Sequence, residues 1–208
     1  MSVVLEDGTT VGYTTDTLGN RTSRSVNGVL DVTWAWDQVS SLPTRVGEFD
    51  ASGALSTAWL TDPMSPTGAP LAQTDGTVAS WLFGDWAQNT TTAVATTGTA
   101  VTGTRSVDVF GNVRSAATGS LASAAFGFSG QYLDSVTGLY DMRARDYDPT
   151  TGRFTATDPV AQATGMPYFA SYVYGYNNPL MFTDPTGMWS RDEWLGFFTW
   201  VNRPGFSS

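Results

Sequence analysis

The chain has 208 residues, of which 41% are hydrophobic and 13% aromatic, and its net charge is -9. All 10 basic residues are arginine, because lysine is absent, and the sequence contains no histidine or cysteine either. This composition excludes thiol nucleophiles, disulfides, the usual zinc sites and Ser-His-Asp triads, and the negative charge argues against a nucleic-acid partner. We expect a folded domain of medium size with no metal and no cofactor.

The residue types favour short strands joined by turns. Glycine and proline occur 22 and 10 times and accompany an excess of Thr, Ser and Val, which is typical of an all-β chain. The amino-terminal stretch MSVVLEDGTTVGYTTD lacks the basic and continuous apolar regions of a signal peptide. No run of 18 apolar residues predicts a membrane span. Met1 therefore fits a boundary inside a longer protein.

Residues 1–125 carry a loose repeat, in which strand-forming residues precede an aspartate and a glycine follows a few positions later. The repeat is marked at steps of 21, 25, 23 and 23 residues by Asp16, Asp37, Asp62, Asp85 and Asp108. A period this short fits a two-stranded hairpin and a turn, stacked on the next hairpin. Aspartate can accept a downstream N–H in an Asx turn, so we predict that these carboxylates are structural.

Tryptophans recur near the repeated aspartates, at Trp34, Trp36, Trp59, Trp81 and Trp86. We expect them to lie on strands and to pack against the next hairpin, because strands of a stacked sheet need large apolar side chains. In the rival interpretation, exposed tryptophans are platforms on which sugar rings stack.

The sequence changes character near residue 125. The segments 89–103 and 114–127 are rich in Thr, Ala and Gly, lack a hydrophobic period, and predict loops or flat edge strands. Aromatic residues and arginines become frequent from residue 126 onward. We therefore predict a second module at 126–188, followed by a short extension at 189–208.

The extension 189–208 carries the signature of a short amphipathic helix. Ser190 is followed three residues later by Glu193, as in a capping box, and the sequence NRPG ends the run. Between these signals the apolar residues fall at helical spacing, at Trp194, Phe197, Phe198 and Val201.

Two Asp-Pro pairs, at residues 158–159 and 184–185, flank an aromatic stretch of the second module. Proline disfavours the helical conformation of the residue before it, so each carboxylate is presented from extended or turn backbone. Two carboxylates in close contact share one proton, and such a pair can activate water and polarise a carbonyl group. The alternative interpretations are simple Asp-Pro turns and a metal site with oxygen ligands.

Neighbouring side chains would tune the charge of this carboxylate pair. Packing of aromatic rings around it would raise the pKa of one aspartate by lowering the local dielectric. Arg153 would instead hold one aspartate in its charged form. The aromatic residues in question are Tyr168, Phe169, Tyr172, Tyr174, Tyr176 and Phe182.

Residues 126–188 resemble the Rhs-repeat-associated core domain, the carboxyl-terminal end of Rhs and YD-repeat proteins. The motifs GQYLD, TGLY, RARDYDP, TGRF, NNP and DPTG occur in the order of that family. Residues 1–125 resemble degenerate YD repeats. The resemblance implies an all-β fold, in which a hairpin sheet forms part of a spiral, hollow shell and the core domain is its plug.

The resemblance also implies self-cleavage by two Asp-Pro motifs that act as an aspartyl-protease-like pair. Mapped onto this chain, the catalytic residues are Asp158 and Asp184, and the cut falls between Met188 and Trp189. The first motif reads DPVA, with Ala161 where glycine is usual in the family. The supporting residues are Arg153, Pro159, Pro185 and Gly187.

Two functional hypotheses follow. In the first, the chain is the carboxyl-terminal part of a secreted or cell-surface polymorphic toxin, which encloses an effector and releases it by single-turnover self-cleavage. Its partners would be the effector, the rest of the shell and an immunity protein. In the second, the chain is a non-catalytic structural or adhesive YD-repeat module that binds a surface glycan. Its repeats are too few to close a shell alone, so open sheet edges predict self-association.

Overall fold

The computed structural model describes residues 2–39, 42–65, 67–159 and 171–188, so the predicted helix in 189–208 lies outside the described residues. Within these ranges the chain forms strands and three short 3₁₀ turns, and every strand pairing is antiparallel. The all-β prediction is therefore confirmed. No helix in the described ranges is long and apolar enough to cross a membrane.

Ten strands form one sheet in the order of the sequence, so each hairpin pairs with the next. The strands are β1 (Ser2–Val4), β2 (Thr10–Thr15), β3 (Arg21–Val26), β4 (Val29–Asp37), β5 (Thr44–Asp50), β6 (Leu55–Thr61), β7 (Pro70–Thr74), β8 (Ala79–Gly84), β9 (Thr90–Ala95) and β10 (Val101–Thr104). The sheet is open, with β1 and β10 at its edges in the described part of the chain. The segment 89–103 supplies β9, which is paired on both sides, and the edge strand β10, so the prediction of an edge strand is correct for β10 only.

The remaining strands form two smaller sheets. A hairpin of β11 (Ser106–Val107) and β12 (Val113–Ser115) follows the large sheet. A four-stranded sheet then contains β13 (Tyr132–Leu133), β14 (Tyr140–Met142), β15 (Arg145–Asp148) and β16 (Arg153–Phe154). The 3₁₀ turns lie at Gly119–Leu121, Phe128–Gly130 and Gly175–Asn177. The module boundary at residue 125 remains a prediction.

The repeated aspartates close turns between strands. Each accepts, through Oδ1, the backbone N–H of the residue two positions later. The N···O distances are 2.8–2.9 Å for Asp16, Asp37, Asp62, Asp85 and Asp108. In three of the five turns, an asparagine four residues on also donates its backbone and side-chain N–H groups to the same carboxylate. The structural role predicted for these carboxylates is confirmed.

One face of the large sheet packs against the beginning of the second module. The contact surface is apolar and mostly aromatic, and its buried residues are Val11, Tyr13, Val32, Trp34, Trp59, Phe126 and Tyr132. The ring centroids of Trp59 and Phe126 lie 5.1 Å apart, and those of Trp34 and Tyr132 lie 5.6 Å apart, both edge to face. Each such pair adds about 0.5–1.5 kcal/mol beyond the burial of its area.

Two tryptophans of the repeat are exposed to solvent. Side chains alternate along a strand, and Leu82 on β8 points to the buried face of the sheet. Its neighbour Trp81 therefore points to the opposite face and is 43% exposed. Trp86, in the turn after β8, is 61% exposed. The expectation that the repeat tryptophans pack inside is therefore correct for Trp34 and Trp59 but wrong for Trp81 and Trp86.

Buried ion pairs join the large sheet to the second module. Three arginines of β3 and β5 contact three aspartates of the four-stranded sheet and its first turn, and none of the six side chains is more than 10% exposed. The pairs are Arg21–Asp146, Arg24–Asp134 and Arg45–Asp141. A buried charge that loses its partner is strongly destabilising, so the three pairs fix the position of one sheet on the other.

Arg24→Met should test this constraint, since it leaves the Asp134 carboxylate buried without its cation. We expect the free energy of unfolding, measured by urea denaturation, to fall by about 3–5 kcal/mol. Arg114→Met removes an exposed arginine, and should change the same quantity by less than about 0.5 kcal/mol. Equal effects of the two substitutions would contradict a structural role for the pair.

Two of these three buried pairs predict a loss of stability in acid, whereas burial raises the pKa of Asp146 in the third pair. Burial would also raise the pKa of Asp134 and of Asp141, but the charges of Arg24 and Arg45, together with hydrogen bonds to the two carboxylates, hold both pKa values below the ordinary range. A carboxyl with a lower pKa in the folded chain stabilises the fold above its unfolded-state pKa of about 4, and this contribution disappears as the pH falls through the folded-state pKa. Urea denaturation at decreasing pH should show this decline, and Asp134→Asn should flatten it. A parallel profile in Asp134→Asn would count against the mechanism.

Candidate active site

The structure brings Asp158 and Asp184 to the same guanidinium group. Nη2 of Arg145 lies 3.1 Å from Oδ2 of Asp158 and 3.2 Å from Oδ2 of Asp184. The two aspartates that the sequence predicts as a pair are thus close in space, with one cation between them. Both carboxylates are thus ion-paired with the same guanidinium group.

The two carboxylates have different surroundings. The side chain of Asp184 is 2% exposed and that of Asp158 is 18% exposed. Asp184 donates its backbone N–H to Oη of Tyr174 at 3.4 Å, and its Oδ1 accepts a hydrogen bond from Oγ1 of Thr186 at 3.3 Å. The backbone N–H of Asp158 binds the carbonyl of Ser171 at 3.1 Å. Asp184 is therefore fixed inside the fold, whereas water can reach Asp158.

Arg145 is held from several sides at the start of β15. Its guanidinium stacks over the ring of Phe154, with Cζ 3.6 Å from the ring centroid. Nη1 donates to the carbonyl of Ser171 at 3.1 Å, and Nε donates to the carbonyl of Gly187. Burial lowers the pKa of Arg145, against the opposite effect of the two aspartates. Arginine nevertheless keeps its proton in proteins, so the centre of the site carries a permanent positive charge.

The arginine at this position was predicted to be Arg153, and the structure corrects that expectation. Arg153 is exposed on β16 and lies opposite Asp148 in the β15–β16 pairing. Arg145 is 5% exposed and points into the fold. The sequence offered a signal for Arg145, since it belongs to the RARDYDP motif, but strand pairing decides which arginine points inward.

The chain after Asp184 is bound along the turn that connects β14 to β15. Three successive carbonyl groups, of residues 185–187, accept hydrogen bonds from three successive residues. The donors are Nη1 of Arg143 to Pro185, N of Ala144 to Thr186 at 3.3 Å, and Nε of Arg145 to Gly187. The chain therefore has one defined path up to Met188, whereas Trp189 lies outside the described residues.

Gly187 fits this path because it has no side chain. Its φ is +66°, in the left-handed region, and a Cβ atom there would overlap the carbonyl oxygen of Met142. Met188 follows with its N–H bound to Oγ1 of Thr186 at 3.2 Å, and its side chain is 40% exposed. The predicted supporting role of Gly187 thus has a steric basis in close backbone packing.

The aromatic residues expected around the pair are only partly buried. Tyr174 is 1% exposed and packs among Phe128, Tyr147 and Phe154. Tyr172 and Tyr176 are exposed by 42% and 37%. Phe182 is half-buried, and Tyr168, Phe169 and Ala161 lie outside the described residues. An apolar enclosure of the carboxylates is therefore wrong for Tyr172 and Tyr176.

Contact with Arg145 also separates these aspartates from other Asp-Pro pairs of the chain. Asp62 and Asp148 precede prolines too. Each accepts the backbone N–H two residues later, at 2.9 Å and 2.8 Å, as in an ordinary Asx turn. The turn interpretation thus fits Asp62 and Asp148, and Asp158 and Asp184 have an additional ionic partner.

The chain is similar in sequence to short parts of much larger proteins, and no family model matches it. It is 44% identical over 66 residues to Salivary gland surface protein 1 of Aedes aegypti, covering 32% of this chain and 2% of that protein. It is 27% identical over 187 residues to the tRNA3(Ser)-specific nuclease WapA of Bacillus spizizenii, covering 88% of this chain and 8% of that protein. It is 41% identical over 61 residues to Toxin protein Tse5 of Pseudomonas aeruginosa, covering 29% of this chain and 4% of that protein.

Solved structures of Tc toxins contain a similar fold. The crystal structure of TcdB2-TccC3-TEV matches with a TM-score of 0.60 and 19% identity, over 89% of this chain and 9% of that chain. A Photorhabdus luminescens Tc holotoxin pore with a mutated TccC3 matches with a TM-score of 0.58 and 17% identity, over 86% of this chain and 9% of that chain. This chain therefore has the fold of a small part of the chains in these TccC3-containing structures, and it is similar in sequence to short parts of toxin proteins.

Proposed function

We propose that this chain is part of an Rhs/YD-repeat polymorphic toxin, in which the hairpin sheet forms part of the wall of the shell and residues 126–188 form its plug. The observation that carries the proposal is the set of buried Arg–Asp pairs that fasten the second module to one face of the sheet. Such pairs would fix the orientation of a plug on the wall to which the chain already connects it. The similarity to Tc toxin structures supports the same arrangement.

The partners follow from this assignment. The sheet edge at β1 offers backbone groups to a further strand, so the rest of the shell is the partner there. The edge at β10 is covered by residues 118–121, since Thr118 donates its backbone N–H to the Thr104 carbonyl. A carboxyl-terminal effector would follow the plug and lie inside the shell, and an immunity protein would neutralise that effector. The complete toxin would act as a secreted or cell-surface protein.

Self-cleavage between Met188 and Trp189 is the second part of the proposal. Asp158, which water can reach, would take a proton from a water molecule whose oxygen then bonds to the Met188 carbonyl carbon. Asp158 would return this proton to the Trp189 nitrogen as the C–N bond breaks, and the carboxylic acid formed on Met188 would then ionise. Asp184 and Arg145 would stabilise the charges that develop on the reacting groups during these steps. The bond is tethered close to the site, so its high effective concentration makes low intrinsic activity sufficient for one turnover.

A second candidate function is a structural module without catalysis. Arg145 forms ion pairs with both aspartates, which suits a staple that secures the end of the second module. Exposed Trp81 and Trp86 would suit stacking on a surface glycan. Similarity to a salivary gland surface protein agrees with this candidate.

Self-cleavage can be measured by the intact mass of the purified 208-residue chain over time. We expect a fragment that ends at Met188 in the unmodified chain. Asp158→Asn and Asp184→Asn should each slow its appearance by at least about 100-fold, the usual scale of lost acid–base catalysis. Asp148→Asn is the matched control, because it also changes an aspartate that precedes a proline but lies in a simple turn. If the unmodified chain keeps its intact mass at every pH from acidic to alkaline, the result favours the structural candidate.

Gly187→Ala tests whether the backbone path to the scissile bond matters. The new Cβ would push residues 185–188 away from Met142 and so away from Arg145. We expect cleavage to slow by at least about 10-fold, since small displacements of reacting groups have effects of this size or larger. Gly8→Ala is the control, because Gly8 also has a positive φ, of +85°, but nothing lies within 4 Å of its would-be Cβ. Similar cleavage rates in the two variants would argue against the assigned path.

A further inference from the structure

Arg143 joins four separate segments of the fold through its guanidinium group. Nε donates to the carbonyl of Pro43 at 3.2 Å, and Nη2 donates to the carbonyl of Thr67 at 3.2 Å. Nη1 donates to Oε1 of Gln131 at 2.9 Å and to the carbonyl of Pro185. A single side chain thus reaches from the large sheet to the second Asp-Pro motif.

The acceptors around Arg143 are neutral, unlike those of the three arginines that join the sheets. They are backbone carbonyls and one amide oxygen. Burial lowers the pKa of Arg143 to about 10, with the charge of Asp141 opposing this effect. Arg143 is half-buried, and a partly desolvated cation with neutral partners lacks the charge compensation that a carboxylate partner provides. The planar guanidinium of Arg143 instead binds several oxygen atoms at once.

The positions of the acceptors give Arg143 its significance. Pro43 lies in the connection from β4 to β5, and Thr67 lies in the connection from β6 to β7. Both connections are at the same end of the large sheet, because its strands alternate in direction. Pro185 directly follows Asp184 in the segment bound along residues 143–145. Arg143 therefore spans from the end of the sheet to the segment that leads to the predicted cleavage point.

We propose that Arg143 is a positioning residue that makes alignment of the cleavage segment depend on the folded end of the repeat sheet. The guanidinium is oriented by the carbonyls of Pro43 and Thr67, and only in that orientation does it hold the carbonyl of Pro185. A chain with an unfolded sheet would therefore leave residues 185–188 unaligned with Asp158 and Asp184. This inference rests on the proposed self-cleavage, and it adds a condition under which cleavage occurs.

Gly68 supports the assignment from the side of the sheet. It has a φ of +73°, and a Cβ on it would lie 2.7 Å from Nη2 of Arg143. The connection from β6 to β7 is thus shaped to admit the guanidinium next to the carbonyl of Thr67. The sheet contributes both the acceptor and the space for this contact.

Arg105 provides a matched control for substitution of Arg143. Arg105 is buried, whereas Arg143 is half-buried, and the guanidinium of Arg105 likewise binds backbone carbonyls, those of Thr90, Ala124 and Phe126. None of these acceptors belongs to the cleavage segment. Replacing either arginine removes a similar set of hydrogen bonds, but only replacement of Arg143 should disturb residues 185–188.

The test compares Arg143→Met with Arg105→Met in the 208-residue chain, under conditions in which both are folded. We expect Arg143→Met to slow the appearance of the fragment ending at Met188 by at least about 10-fold, and Arg105→Met to leave the rate within about twofold. Arg143→Lys and Arg105→Lys are the second pair, for use if a methionine variant does not fold. A lysine ammonium keeps the charge but lacks the planar fork that reaches four acceptors. Equal rates within either pair would overturn the inference.

A second measurement separates this inference from the proposed self-cleavage. The backbone N–H groups of Ala144 and Met188 both bind Thr186, so their hydrogen exchange reports on the alignment of the segment. Substitution of Arg143 should speed their exchange by at least about 10-fold relative to substitution of Arg105. If the unmodified chain does not cleave, the self-cleavage proposal fails and this exchange decides the role of Arg143. Equal exchange in the two variants would overturn it.

Discussion

The rest of the structure depends on the buried pairing of sheet arginines with aspartates of the second module. An open sheet of one layer cannot bury both of its faces, and the second module is too small to form a large core of its own. The pairs Arg21–Asp146, Arg24–Asp134 and Arg45–Asp141 fix how the two parts meet. Aromatic rings of both parts then exclude water around them. The position of the Arg145 site relative to the sheet follows from this contact.

Much of the fold could be predicted from the sequence, because it is encoded by local patterns. The repeated aspartates specify turns through hydrogen bonds to residues two positions later, so their spacing already indicates a series of hairpins. Which face of each strand is covered depends on distant residues, and that is why Trp81 and Trp34 look alike in sequence but differ in burial. The presence of arginine as the sole basic residue did not reveal that arginines would pair with aspartates across modules, since those partners are far apart in the chain.

The two aspartates of the candidate site could be predicted from the sequence, but its arginine could not. Asp158 and Asp184 stand out because each precedes a proline in an aromatic region that resembles a known core domain. Sequence reasoning named Arg153, whereas the structure places Arg145 between the two aspartates, because the direction of each side chain from its strand decides which arginine points inward. Arg143 could not be assigned by any local pattern, because its acceptors come from four segments that only the folded chain brings together.

The order of strands in the large sheet has a consequence for how the chain folds. Every contact within that sheet joins neighbours in sequence, so each hairpin can form as soon as its own residues leave the ribosome. The pairs that fasten the second module span 125, 110 and 96 residues, so they can form only after the whole large sheet and residues 134–146 have been made. Contacts between residues close in sequence can thus form earlier during synthesis than contacts between residues far apart. A chain built this way has a wall before it has a plug, and its Arg145 site is among the last parts to assemble.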